Sequence, residues 1–359
     1  MIQEIGSEFW ITGKNQPLQF KIPDWLKHKK HQKLTSLGRG AITLFLDSIE
    51  KRVRSKKALL PSFLCDSILD PFINKGYTCN FYPVNSSLEP IIDTDSEKKL
   101  PEVGVFLHLG YFGFPTNRRI ASLIAEIKQY GVFVVEDLSH TLFFKGESLK
   151  YNDFCFGSIR KWTGMPSGGF LSSEQPIILK NSLPENKTYV PLRKKALLKK
   201  SEFFQTNESS IKNEYLGLFQ SAQKLMDNDF SAYQMDELSK QIINGLDVES
   251  LKTKRRNNYS TLLEGLVDID LVKPVFKNLP NHFVPLFFPV YCHTDRAKLR
   301  SFLNEKQIYC PIHWPPPKTI DLNKFPISKK IYNNILSIPC DQRYDKADML
   351  RVIETLKSF

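Results

Sequence analysis

Between residues 40 and 180 the hydrophobic positions follow two rhythms in turn. Gly40 to Val53 carries apolar residues at helical spacing, Ala58 to Leu60 is a short apolar strand ending at Pro61, and Phe63 to Asn74 predicts a helix stopped by Gly76. Tyr77 to Val84 and Val103 to Leu109 predict strands, and Ile120 to Tyr130 predicts a helix ending at Gly131. VFVVED follows, Val132 to Asp137, almost purely β-branched and aromatic. Uninterrupted apolar strands set between helices predict a mainly parallel sheet buried on both faces. Ligands of such sheets bind at the carboxyl ends of the strands.

From about Asn181 to Asp229 the pattern turns polar and lysine-rich, with helical stretches and no strand signal. Met235 to Tyr259 predicts one or two long helices. Phe283 to Tyr291, a helix from Arg296 to Lys306, Ile308 to Ile312 and a final helix from Asp345 to Lys357 predict a small α+β unit. The expected organisation is a large α/β domain within residues 1–190, then connecting helices and a small C-terminal domain within 191–359. No internal repeat or low-complexity segment interrupts this order.

Composition narrows the class. Of 359 residues 41% are hydrophobic, enough for a sizeable core and far from a disordered chain. The opening segment MIQEIGSEFWI is acidic where a leader needs basic residues, and no stretch approaches the roughly 20 apolar residues of a membrane span. Six scattered cysteines without a CxxC pair read as reduced thiols. A cytoplasmic protein with no membrane partner is expected. The net charge of +12 first reads as a lysine-rich surface. Its clusters, Lys27 to Lys33, Lys51 to Lys57 and Arg193 to Lys200, lack aromatic interleaving and any nucleic-acid motif, so an anionic small molecule suits the charge as well as a polynucleotide. Walker, GxGxxG, HExxH and GxSxG motifs are absent, and His108, His282, His293 and His313 show no metal-ligand spacing.

Three separated features carry chemistry. Asp137 ends the VFVVED strand, His140 follows three residues later, and Lys161 lies in SIRKWTGMPSGGFL between a strand at Phe154 to Phe156 and a Gly-Gly pair that opens another. Singly, the aspartate could be a helix cap and the histidine structural. Together they suit pyridoxal 5′-phosphate (PLP), which condenses with a lysine amine and needs a carboxylate to keep its pyridine nitrogen protonated. The phosphate requires backbone N–H groups at a helix start, and TSLGRGAITLF supplies Gly38 and Gly40 directly before one.

These segments resemble, in the correct order, the DegT/DnrJ/EryC1/StrS family of PLP-dependent aminotransferases. TSLGRGAI is similar to the family's Ser-Gly-Thr-x-Ala segment through Gly38, Arg39 and Ala41, VVEDLSH to its Glu-Asp-x-x-Gln/His strand end, and KWTGMPSGG to its lysine with Gly-Gly seven and eight residues on. LHLGYFGFPTN resembles the His-x-x-Gly-x-Pro connection. AYQMDELSKQIINGL, KTKRRNNYSTLLEGL, IYCPIHWPPP and ILSIPCDQRYDKADMLRVIETL carry the similarity to about Lys357. The resemblance implies the aspartate-aminotransferase fold (fold type I), with a seven-stranded-type sheet, a small C-terminal domain and a homodimer.

It further implies that Lys161 carries the cofactor, Asp137 binds the pyridine nitrogen and His140 sits near the ring or its 3-hydroxyl. Ser158, Gly38, Arg39 and Gly40 would hold the phosphate, and Phe63 would stack on the ring, unless Cys65 takes that position. The implied reaction moves an amino group from an amino acid, glutamate first, to a keto-sugar, often nucleotide-linked, in polysaccharide or secondary-metabolite assembly. The chain departs from the pattern at three points: Ser158 lies three residues before Lys161 instead of five, Arg160 and Trp162 flank the lysine, and Gln234 stands where arginine is usual. A PLP-dependent lyase or dehydratase is the first alternative, although the family's sugar dehydratases replace the lysine by histidine. A non-catalytic PLP-fold binding protein is the second.

Overall fold

A computed structural model describes residues 4–11, 20–146, 148–179, 181–227 and 229–359; residues 1–3, part of the segment read for a leader, lie outside them. Among the described residues twelve strands occur in chain order: β1 (Ile5–Gly6), β2 (His31–Thr35), β3 (Lys57–Pro61), β4 (Thr78–Tyr82), β5 (Val105–Leu109), β6 (Phe133–Asp137), β7 (Phe154–Ser158), β8 (Gly169–Ser173), β9 (Val272–Pro274), β10 (Phe288–Cys292), β11 (Ile308–Tyr309) and β12 (Ile335–Ile338). Seven build one sheet in the order β2-β8-β7-β6-β5-β3-β4. The five from β7 to β4 are mutually parallel, and β8 runs antiparallel to both β7 and β2. The expected mainly parallel α/β sheet is therefore present, its inner strand β5 buried at every residue.

Helices α1 (Gly38–Ile49) and α2 (Asp66–Asn74) cover this sheet, and Phe45, Leu59, Leu60, Phe106 and Val134 lie in one apolar core. Burying a sheet on both faces forces its strands to be apolar throughout, the pattern that made them visible in the sequence. A second core forms where helix Val248–Leu266 and helix Lys346–Lys357 pack on the antiparallel sheet β12-β10-β9.

Several boundaries differ from the sequence reading. The α1 helix starts at Gly38, two residues early, while α2 starts at Asp66 because Cys65 is still extended as its N-cap. The span Ile120 to Tyr130 divides into a 3-10 turn (Arg118–Ser122) and a short helix (Ile124–Gln129). Strand β2 overlaps the end of the first basic cluster, where lysines masked its alternation. The expected division at 190/191 falls in the first turn of helix Tyr189–Thr206, whose apolar residues are scattered among lysines. Among the described residues no helix is long and apolar enough to cross a membrane.

Candidate active site

The sheet topology brings the carboxyl ends of β6 and β7 side by side, with Asp137 paired in register to Phe156 and to Leu109 of β5. A cavity of about 110 Å³ opens there. Asp137, Ser158, Lys161, Gly38 and Arg39, five of the residues expected from sequence, line it together. Lys161 closes a 3-10 turn (Ile159–Lys161) that leaves β7 directly after Ser158.

Trp162 fixes that turn. Its ring is fully buried, its Nε1 donates to the Ser139 carbonyl at 2.9 Å, and the Arg255 guanidinium stacks 4.8 Å from its centroid. The Trp162 carbonyl accepts from Gln342 Nε2 at 2.7 Å. The unusual residue after the lysine is thus an anchor joining the lysine turn to helix Val248–Leu266 and to the C-terminal segment. The Gly-Gly pair has an equally local cause. A Cβ on Gly169 would lie 2.3 Å from the Leu37 carbonyl carbon and oxygen, so only glycine lets the chain entering α1 cross β8 beside the lysine turn. Gly168 N–H donates to the Ser36 carbonyl at 2.8 Å and tightens the same crossing.

Helix α1 consequently points its N-terminus into the cavity. Leu37 gives no side-chain cap, which leaves first-turn N–H groups for a ligand. Gly40 differs from expectation, since it does not line the cavity. Its missing Cβ admits the backbone of Ser231, whose carbonyl would stand 3.0 Å away. Phe63 also lies outside the lining: it is fully buried against Tyr111, Trp314 and Tyr332. Cys65, Ser139 and Met226 line the cavity instead.

The electrostatics are those of a buried pair. Burial raises the Asp137 carboxyl above its ordinary range, and Lys161 together with the Ser139 N–H, 2.7 Å from Oδ1, opposes this. Burial lowers the Lys161 ammonium, and Asp137 opposes that shift in turn. Lys161 Nζ sits 5.6 Å from the Trp314 ring centroid, and His140 stacks on the same indole at 5.1 Å.

His140 does not line the cavity but is buried close behind it. Burial, then Lys161 and His313, hold it well below the ordinary imidazole range, so the ring is neutral. Its Nδ1 accepts from the Phe112 N–H at 3.2 Å, which places the proton on Nε2. That Nε2 is buried and has no partner among the described residues. His313 donates or accepts at Ser337 Oγ, 2.8 Å from Nδ1, and with Trp314 packs around His140 and Phe112. His108 is structural: Asn152, Asn117 and Glu136 enclose it in a buried network.

Two wider clefts of about 950 Å³ lie elsewhere, one against helix Val248–Leu266 and one along α1. Neither holds a lysine–aspartate pair at strand ends. Cys65 had been expected only as the alternative to Phe63, while Trp314 and Met226 could not be assigned from spacing, because each reaches the site from an element far away in sequence.

The sequence model of the DegT/DnrJ/EryC1/StrS aminotransferase family matches residues 230–357. No curated protein matches the chain in sequence. Among solved structures, the Helicobacter pylori aminotransferase PseC, involved in pseudoaminic acid biosynthesis, superposes with a TM-score of 0.70 at 12% identity, covering 99% of this chain and 100% of that one. The sugar aminotransferase Spr1654 of Streptococcus pneumoniae in its PMP form gives 0.69 at 14%, covering 98% and 91%. The aminotransferase TlmJ of Streptoalloteichus hindustanus gives 0.66 at 16%, covering 93% and 88%. The chain therefore matches the DegT/DnrJ/EryC1/StrS aminotransferase family model over its C-terminal third and shares the fold of these aminotransferases over nearly its whole length.

Proposed function

We propose that this aminotransferase moves an amino group between an amino acid, glutamate being the first candidate donor, and a keto-sugar, with a nucleotide-linked sugar as the first acceptor to try. The observation that carries the reading is the buried Lys161–Asp137 pair at adjoining strand ends, with the unpartnered N–H of His140 behind it.

The residues fit the cofactor. The cavity presents three cations (Arg39, Arg160 and Lys161) against one carboxylate (Asp137), an imbalance that a phosphate dianion corrects. His140 Nε2 is a buried donor without an acceptor, suited to the ring's 3-oxygen. When bound, PLP supplies a carbonyl for the lysine amine and an electron sink for the substrate carbon.

The chain's own groups do the rest. Asp137 would accept the pyridinium N–H. Ser158 and the first turn of α1 bind phosphate oxygens. Burial lowers the Lys161 ammonium, so its Nζ would give up and take back a proton more readily than an exposed lysine, the property a proton carrier needs. Ser139 and Cys65 border the space for the ring, so the stacking expected of Phe63 passes to small side chains. A homodimer follows from the fold's usual assembly and is part of the proposal.

The test is an absorbance spectrum of purified protein, with borohydride reduction and peptide mapping. A visible band that disappears on reduction, with label on Lys161, is the expected result, and glutamate should convert it to the pyridoxamine form. A protein that remains colourless with added PLP would leave the fold serving only for binding.

A further inference from the structure

Arg160 precedes Lys161 and borders the same cavity, where so far it has counted only as one positive charge and has no binding role of its own. Its Nη1 donates to the Tyr189 hydroxyl and lies 3.7 Å from Met226 Sδ, while its Nε is buried without a partner. Arg39 approaches the same place from the first turn of α1, donating from Nη1 to the Met226 carbonyl. Two guanidiniums thus converge on the last turn of helix Ser209–Asp227. Neither has a carboxylate within ion-pair distance among the described residues. The nearby Glu8 is already taken by Arg193 at 2.6 Å.

Neutral groups and a helix carboxyl end are weak partners for two desolvated cations. Burial, then Arg193, drags the Arg160 guanidinium down to about 9, against a small opposing pull from Glu8. The arrangement is therefore short of negative charge, and the shortage faces the cavity wall where Ser158 and the α1 N–H groups lie. Guanidiniums suit such a place because their planar forks bind tetrahedral oxyanions at two oxygens at once.

We propose that Arg160, paired with Arg39, is an oxyanion clamp on the phosphate of the cofactor, compensating for the shortened spacing between Ser158 and Lys161. The proposal rests on the PLP reading and goes beyond it by adding a positioning residue.

Cofactor-free full-length chain is titrated with PLP and with pyridoxal, which lacks the phosphate. Arg160→Gln should bind PLP about 10- to 100-fold more weakly and leave pyridoxal binding unchanged. Arg160→Lys, which keeps charge but loses the fork, should fall between. Inorganic phosphate should compete with PLP in the unchanged chain and less in Arg160→Gln. Three results would overturn the clamp. Equal losses for PLP and pyridoxal would make Arg160 a packing residue. Unchanged PLP affinity with a raised KM for glutamate would assign the arginine to the donor's carboxylate. Failure of the unchanged chain to take up PLP at all would remove the cofactor reading itself, a result distinct from the other two.

Discussion

At the scale of single residues, Asp137 is the clearest test of the chemistry. Burial alone would favour its neutral form, and Lys161 together with the hydroxyl and N–H of Ser139 hold it toward the carboxylate. Asp137→Asn keeps the shape but cannot keep a proton on the pyridine nitrogen. Turnover should drop by about 10²-fold or more, the usual scale for losing one preorganised electrostatic partner. The visible band on Lys161 should survive, because that bond does not involve the aspartate. A variant with near-normal turnover would remove Asp137 from the reaction. This residue was legible because a strand of one chemical character ends on it. Trp314 was not, since nothing local to IYCPIHWPPP tells that its indole meets both Lys161 and His140. Cys65 was legible only as an alternative: PSFLCDS offers two candidates, and the extended N-cap that turns Phe63 into the core is a tertiary outcome.

Elements position these residues through contacts that leave no room for a side chain. The crossing of the α1 entry over β8 depends on Gly169, where a Cβ would meet backbone atoms rather than a flexible side-chain tip. Gly169→Ala should therefore cost on the order of 1–3 kcal/mol in denaturant unfolding. It should also weaken PLP binding, as the N-terminus of α1 is pushed from Ser158. Loss of stability with unchanged cofactor affinity would show that the crossing serves packing alone. The Gly-Gly pair was readable as a motif, but its cause, a neighbouring backbone from 130 residues upstream, was not. Strand β2 shows the opposite failure. It is an edge strand, and lysines such as Lys33 both discourage pairing with other chains and hide the strand's alternation. Part of the basic cluster read as surface charge thus has a definite place in the fold.

Over the whole molecule, the order of buried strands and helices made the main sheet legible, while the link between chain ends did not show in any periodicity. Residues 4–11 run between helix Tyr189–Thr206 and the C-terminal segment, with β1 pairing to β11. At their centre Lys200 is fully buried, its Nζ donating to Ser7 Oγ at 2.6 Å and to the Glu8 carbonyl. Trp10, Phe204 and Tyr215 surround it, and Arg343, Glu8, Glu4 and Asp341 are the charges it feels. Burial first, then Arg343, lower it from 10.5 to about 7. Between those values the folded chain has released a proton that the unfolded chain retains, so unfolding takes up a proton and stability must rise with pH. Below about 7 both states carry it and the contribution is flat.

Lys200→Met keeps the stem and cannot titrate, and the remaining tyrosines and cysteines cancel in the comparison. The stability of the unchanged chain relative to Lys200→Met should be level below pH 7. It should then climb toward pH 10 by at most about 1.4 kcal/mol per pH unit. Chemical denaturation of both chains across pH 6 to 10 measures the difference directly. A level difference throughout would mean that the hydrogen bonds to Ser7 and Glu8 keep the ammonium charged in place, and that the strap is held by a permanent cation instead of a neutral amine.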